Sequence, residues 1–407
     1  MLPDKRENGM IINTTTDVRV ANTINVYSTL RSHGALTRRQ LTSIVDLTFA
    51  SVSSICNDLL KEGMIHQDDR TFATGGRNAQ RLSFVSDFAY AVVLDMHHTE
   101  YVMMALADLS NTVVKTVRRS IAEVRTLEDL LDVIKECYDE LVHNFDNKIY
   151  CISVGVSAVY RHEHEILLQS SNPLLERVNL AMHLRQIFPH LPILIENDAN
   201  LAAYGQLPMI PNSTNNHLFL LFTQGIGLGL IVDGKLYQGS HGFAGELGHL
   251  KVTGVELVCS KCGNVGCMRT VVPLTTIARD LNESNLLKEV GSLAYSDHLL
   301  ERAKTEPVVR ERILFSAEKI GEILAELFDI INPQRILLGG NNWKLYPMMS
   351  QVVRQTCRTL SNLAREVDLE IQFVEEPINS LICRGAAEYA FYYFTRTSIP
   401  DPILFTP

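Results

Sequence analysis

The chain predicts an α/β protein in which a two-lobed body of mixed sheets and helices follows a small winged helix-turn-helix unit. Three observations predict this. Residues 1–84 read as three short helices and then two strands. Beyond Phe84, apolar strands alternate with amphipathic helices, and that alternation runs twice, as two βββαβ-like halves without a repeat of solenoid length. The expected division is 1–84 for the head, 85–195 plus 380–398 for one lobe, and 196–379 for the other.

In the head, Val20, Ile24, Tyr27 and Leu30 recur at helical spacing, and Ser32-His33-Gly34 ends that helix. Thr37 caps a second helix over Arg38 to Val45. After the turn Asp46-Leu47-Thr48, a third helix runs to about Lys61. It turns Val52, Ile55, Leu59 and Leu60 inward and Ser51, Ser53, Ser54, Asn57 and Asp58 outward. Met64 to Gln67 and Arg81 to Val85 form two strands around a polar loop that holds Thr74-Gly75-Gly76-Arg77, the layout of a wing. In such a unit the third helix enters the major groove. Ser51, Ser53 and Asn57 are small enough to approach base edges or phosphates, and Arg38, Arg77 and Arg81 bring charge. A winged helix used only for protein contacts is the competing reading.

In the body, Tyr90 to Asp95, Val102 to Asp108 and Val113 to Arg118 read as strands. A helix with Leu127, Leu130, Leu131, Ile134 and Leu141 on one face follows, and then the strand Ile149 to Val156. Ile193 to Glu196 leads into a strand-to-helix turn at Asn197-Asp198. His217 to Phe222 and Gly229 to Val232 pair around the glycine run 225–229, helices follow at about 273–283, 289–304 and 308–331, and Arg335 to Leu338 is a strand.

Hydrophobic residues make up 46% of the 407 and charged residues 20%, which excludes disordered and fibrous classes. The first residues are charged and lack a secretory apolar core, and the apolar runs are strand-sized. A cytoplasmic protein without membrane insertion is expected. Net charge is −9 overall, yet residues 1–83 carry ten Lys or Arg against eight Asp or Glu, a mildly basic head on an acidic body.

His249, Cys259, Cys262 and Cys267 lie within nineteen residues, and the C-x2-C-x4-C loop carries glycines that a tight metal-wrapping turn requires. Three thiolates and an imidazole make a closed tetrahedral zinc site, which leaves no open position and is therefore structural. Ordinary buried thiols or a disulfide pair are the alternative. Cys56, Cys137, Cys151, Cys357 and Cys383 read as core packing.

Glu196-Asn-Asp198, Gly242 to His249, the cysteine loop, Asn332-Pro333 with Gly339-Gly340, and Arg384-Gly-Ala-Ala387 together resemble the ROK family of sugar kinases and transcriptional repressors. The head, with Asp17-Val-Arg-Val-Ala-Asn22 and its Gly-Gly-Arg loop, is similar to that of the family's repressor branch. The resemblance implies an actin-like, ribonuclease-H-like fold for the lobes. It also implies sugar-contacting roles for Asn197, Asp198, Glu246 and His249, with Asp198 as the kinases' base. His249 would then bind zinc with one nitrogen and face the pocket with the other.

Two departures separate this chain from the family's kinases. Where they carry Asp-x-Gly-Gly-Thr, this chain has Asp95-Met-His97-His98-Thr99, and its second phosphate motif begins Thr223-Gln224 in place of Gly-Thr. Glycine is needed there because only it lets backbone amides reach phosphate oxygens, so bulky imidazoles should obstruct ATP. A third departure, Arg269 where the family has glutamate, points to a phosphorylated or acidic effector or to a pocket that no longer takes a free sugar. Gly155-Val-Ser157-Ala158 also lacks the family's Gly-x-Pro-Gly turn.

The expectation is a non-enzymatic regulator, a homodimer or homotetramer, that binds a double-stranded DNA operator of carbohydrate genes. Its control would come from a sugar or sugar-phosphate effector, or from a phosphotransfer-system protein. An ATP-dependent sugar kinase is the alternative.

Overall fold

The computed structural model describes residues 15–72, 79–145, 148–207, 216–223, 225–367 and 369–398. The loop glycines 75 and 76, Arg77 and Gln224 lie outside them. At the N-terminus, α1 (Thr15–His33), α2 (Arg38–Val45) and α3 (Phe49–Lys61) pack together. Short β1 (Leu36–Thr37), β2 (Ile65–Phe72) and β3 (Ala79–Phe84) form a three-stranded antiparallel sheet ordered β1-β3-β2. Thr37 makes a full capping box with Gln40, and Thr48 caps α3 through the Ser51 amide; both satisfy amides that a helix start leaves orphaned. Val52, Ile55, Cys56 and Leu59 form the buried face of α3.

The first large sheet contains β4 (Tyr90–Met96), β5 (Tyr101–Asp108), β6 (Val113–Ser120), β7 (Ile149–Val156) and β10 (Ile193–Asn197), in the order β10-β7-β4-β5-β6. One face packs on α4 (Leu127–Val142) and α5 (Leu180–Ile187). A separate hairpin, β8 (Ala158–Arg161) with β9 (Ile166–Ser170), projects between β7 and α5 in the chain.

After α6 (Asp198–Tyr204), the second sheet collects β11 (His217–Phe222), β12 (Ile226–Val232), β13 (Lys235–Leu236), β14 (Arg335–Gly339) and β15 (Glu370–Phe373) in the order β13-β12-β11-β14-β15. Its outer face carries α7 (Leu274–Asp280), α8 (Ser284–Ala303), α9 (Pro307–Ile331), α10 (Tyr346–Leu360) and α11 (Asn362–Glu366). The last helix, α12 (Ile378–Thr397), returns to lie with α6 between the two sheets, in a core that joins Val93 and Ala105 of one sheet to Phe219 and Leu337 of the other.

Two glycines permit this middle layer. A Cβ at Gly385 on α12 would stand 1.9 Å from the Leu201 carbonyl oxygen of α6, and one at Gly229 on β12 would stand 2.4 Å from the Ala203 Cβ. The expected pairing around the 225–229 run is corrected here: Ile226 to Gly229 are strand residues of β12 itself, and Gly229 serves the close approach of α6.

The head is bolted to the body. Arg31 on α1 forms a bidentate pair with Glu388 on α12 at 3.0 and 2.6 Å, donates to the Leu109 carbonyl at 2.7 Å, and lies 3.9 Å over the Phe391 ring. Asn111 donates to the same carboxylate at 2.5 Å. Around that polar knot, Tyr27, Leu30 and Leu82 of the head share one core with Tyr150, Ala390, Phe391 and Phe394 of the body.

Candidate ligand and metal site

A cleft of about 280 Å³ opens where the C-terminal ends of β4, β7 and β10 face β12 and the segment 242–249. Asp198, first residue of α6, is buried at its floor. Burial pushes the carboxyl up to about 6, against the pull of His97 and a hydrogen bond from Ser157. Glu246 is pushed up to about 7 by burial and by the charge of Asp198, with Arg269 opposing. A carboxyl raised as far as that of Glu246 can donate as well as accept hydrogen bonds to hydroxyls near neutrality, while Asp198 mostly accepts.

Asn197 also borders the cleft, but its side chain is committed to structure. Its Oδ1 accepts from the amides of Ala199 (2.8 Å) and Asn200 (3.4 Å) as the α6 cap, and its Nδ2 donates to the Ala158 carbonyl at 3.0 Å. Glu196, to which the residue pattern assigned no role, is the hub behind this turn: it is 1% exposed and accepts from the Asn197 amide (2.7 Å), from Asn200 (2.8 Å) and from Gln238. The hairpin β8–β9, which carries no turn signature in the sequence, adds Ala158, Val159, Gln169 and Ser170 to the cleft wall.

On the first-sheet side His97 and His98 fill the turn after β4. His97 Nδ1 lies 2.6 Å from Asp95 Oδ1, and although burial opposes its charge, Asp95 holds the imidazole above its ordinary range. His98 lies against it, tilted by 46° with ring centroids 3.6 Å apart, and reaches Asn379 Oδ1 at 2.8 Å; burial and the neighbouring His97 push it down to about 4. The turn is therefore filled by packed, hydrogen-bonded rings.

On the other side of the cleft, His249, Cys259, Cys262 and Cys267 bring one donor atom each to within 4.8 Å of one another. Cys262 Sγ to Cys267 Sγ is 3.5 Å and Cys259 Sγ to His249 Nδ1 is 4.0 Å. A tetrahedral zinc with Zn–S of about 2.3 Å sets sulfur atoms about 3.8 Å apart, so the spacing fits an ion and is far too long for a disulfide. Burial opposes ionisation of Cys259, yet the amides of Lys261 and Cys262 hold its thiol below the usual range; burial and the adjacent sulfurs push Cys267 up to about 12. Burial and Arg269 push His249 down, which favours the neutral imidazole a metal takes. His249 borders the cleft as well, and Arg269, on the 268–270 turn just after Cys267, lines it with its Cβ position 3.4 Å from where a side chain at Gly248 would sit. The other five cysteines are all buried, as their packing role requires.

A model of the ROK family matches residues 93–388. The chain belongs to the ROK family. A xylose repressor of Caldicellulosiruptor bescii is 26% identical over 367 residues, covering 86% of this chain and 90% of that protein. Among solved structures, a ROK family transcriptional regulator described as a homologue of the E. coli Mlc protein superposes with a TM-score of 0.78 over 94% of this chain and 99% of its own, at 21% identity. A ROK family glucokinase from Streptomyces griseus, in complex with glucose and AMPPNP, gives 0.60 over 74% and 99%, at 20% identity. These likenesses give this ROK chain the two-lobed actin-like fold. The regulator's fold extends over nearly the whole chain, the kinase's over the body.

Of the head residues expected to meet nucleic acid, Arg38 reaches Asn57 Oδ1 (3.1 Å) and Gln67 Oε1 (3.2 Å), which ties α2 to α3 and β2. Ser51 is exposed and bonds Thr48 at 2.9 Å; Asn57 is exposed; Arg81 is half-buried on β3. Ser53 corrects the outward assignment, since its residue is half-buried and its hydroxyl oxygen is shut off from solvent. Among the described residues no helix is long and apolar enough to cross a membrane.

Proposed function

We propose that the chain is a DNA-binding transcriptional regulator of carbohydrate genes, a repressor whose winged helix-turn-helix head, residues 1–84, responds to what occupies the cleft between lobes 85–195 plus 380–398 and 196–379. One observation carries the proposal: α12 touches both places. Its Gly385 packs on α6, whose first residue is Asp198 at the cleft floor, while Glu388, Phe391 and Phe394 three to nine residues later hold the head. A shift of α6 on ligand binding would pass along one rigid helix into the head, which is what coupling between two sites requires. The relative named as a xylose repressor supports the link to sugar.

In this reading Asp198, Glu246 and His249 contact the effector, with Asn197 holding α6 in place, and Arg269 favours a phosphorylated or acidic one. A zinc ion on His249, Cys259, Cys262 and Cys267 braces that wall without taking part in chemistry. The packed imidazoles of His97 and His98 fill the turn where the family's kinases have phosphate-binding glycines, so Asp198 acts as a hydrogen-bond acceptor and not as a base. A cytoplasmic homodimer or homotetramer would set two heads on a palindromic operator, and a phosphotransfer-system protein could take the effector's place.

Selection of bound sites from a genomic duplex pool, run beside a coupled ATPase assay with hexoses and amino sugars, tests the reading. Enriched palindromic sites without turnover are expected; robust sugar-dependent ATP hydrolysis would make the chain a kinase. Within the same reading, Arg77→Ala is expected to lower the salt slope of duplex affinity by about one unit. An unchanged slope would remove Arg77 from the phosphate contacts.

A further inference from the structure

The first turn of α3 is exposed and apolar. Phe49, its first residue, is 57% exposed, the most exposed large hydrophobic side chain among the described residues of the head, and Ala50 beside it is exposed too. The hydrogen-bonding groups that share this face already have partners within the head: Ser51 bonds Thr48, Ser54 accepts from Arg19 at 3.3 Å, Asp58 pairs with Arg19, and the Asn57 Oδ1 accepts from Arg38. No Arg, Lys or Gln stands on α3 before Lys61, and Asn57, the one residue of the helix of a type that reads adenine bidentately, has its Oδ1 bonded to Arg38 and lies two turns beyond Phe49. Arg39 on α2 flanks Phe49 along one surface hollow and is exposed, with no side-chain partner among the described residues.

In a helix-turn-helix the N-terminal residues of the last helix meet base edges. The major groove offers one apolar feature to such residues, the thymine 5-methyl group. Resting on the regulator reading above, we infer that Phe49, with Ala50, reads thymine methyl groups in the operator half-site, while Arg39 anchors the adjacent phosphate. Specificity would then come from shape and methyl contact more than from bidentate hydrogen bonds, and the half-site would carry thymine at the positions facing the start of α3.

Deoxyuridine removes that methyl and nothing else. With the full chain and a duplex selected by it, each thymine of the half-site is replaced in turn by deoxyuridine and affinity is measured at fixed salt. The wild-type chain is expected to lose about threefold to tenfold at one or two positions, the worth of one or two buried methyl groups. Phe49→Ala is expected to bind the thymine duplex more weakly and to lose the discrimination at one of them, with an unchanged melting curve because the side chain is exposed. Equal affinity for uridine duplexes at every position, or a variant that keeps full methyl sensitivity, overturns the assignment. So does a change of oligomeric state in Phe49→Ala, which would give the ring to a contact between copies. A chain that retains no duplex at all would instead sink the regulator reading and this assignment with it.

Discussion

Glu388→Ala is expected to lower stability by about 3–5 kcal/mol, the range for removing one partner of a buried ion pair. Both side chains are largely buried, 13% exposed for Arg31 and 14% for Glu388. Without the carboxylate the guanidinium keeps, among the described residues, the Leu109 carbonyl and the Phe391 face, and its charge loses its counter-ion beside the core of Tyr27, Phe391 and Phe394. The contrast is Arg119–Glu140, whose side chains are 46% and 53% exposed and whose loss should cost less than about 1 kcal/mol. Glu388→Gln, which retains an acceptor for Arg31, should recover part of the loss. Denaturant unfolding of the three variants beside wild type measures this. A Glu388→Ala cost no larger than that of Glu140→Ala would mean that the head is held by its apolar core alone. If the coupling proposal is right, the same variant also loosens the link between cleft occupancy and duplex affinity, so effector would change affinity less than in wild type.

This junction could not be read from the sequence, and the reason is physical. Arg31 and Glu388 are separated by 357 positions, and nothing in either neighbourhood marks a partner. Features with a local cause were legible. Helix periodicity with a Thr cap placed α2 over Arg38–Val45, and the spacing of His249 and three cysteines brought four donors together in the fold. The hairpin β8–β9 was missed because its strands are short and half-polar, and its turn uses Glu165 at φ 54 where Asn-Gly or Asp-Gly would have announced it. The glycine run 225–229 misled for a related reason. A phosphate loop and a strand under a closely packed helix both demand glycine, and only the position of α6 separates them. Asn197 shows the same ambiguity at one residue, since a side chain suited to a hydroxyl ligand is equally suited to cap a helix.

Cys262→Ser is expected to remove the metal and destabilise the second lobe by at least about 4 kcal/mol, a size that among point mutants needs a cause such as metal loss. Val252, Val255 and Met268 anchor the ends of the loop from Leu250 to Met268 in the core, but its tip, residues 256–265, has little else to hold it. Leu257, Val258 and Val265 are 43%, 67% and 46% exposed, and its backbone is tied by two isolated bridges and a few turn bonds, among them Cys259 N to Asn264 O and Gly263 N to Cys259 O, both 2.8 Å. Burial of apolar surface therefore fixes the ends of the loop but not its tip, whereas an ion joining four side chains can fix the tip, because ligand binding to the folded state alone is folding free energy. Serine in place of cysteine keeps the volume but is a poor zinc donor. Elemental analysis should fall from one ion per wild-type chain to a small fraction, and chelation of the wild type should reproduce the variant's unfolding curve. Because His249 and Arg269 sit at the two ends of this loop and both face the cleft, metal loss should also weaken ligand binding by the native pocket. A variant with full metal content would dismiss the ligand set, and one that loses its metal without a change in unfolding would dismiss the structural role.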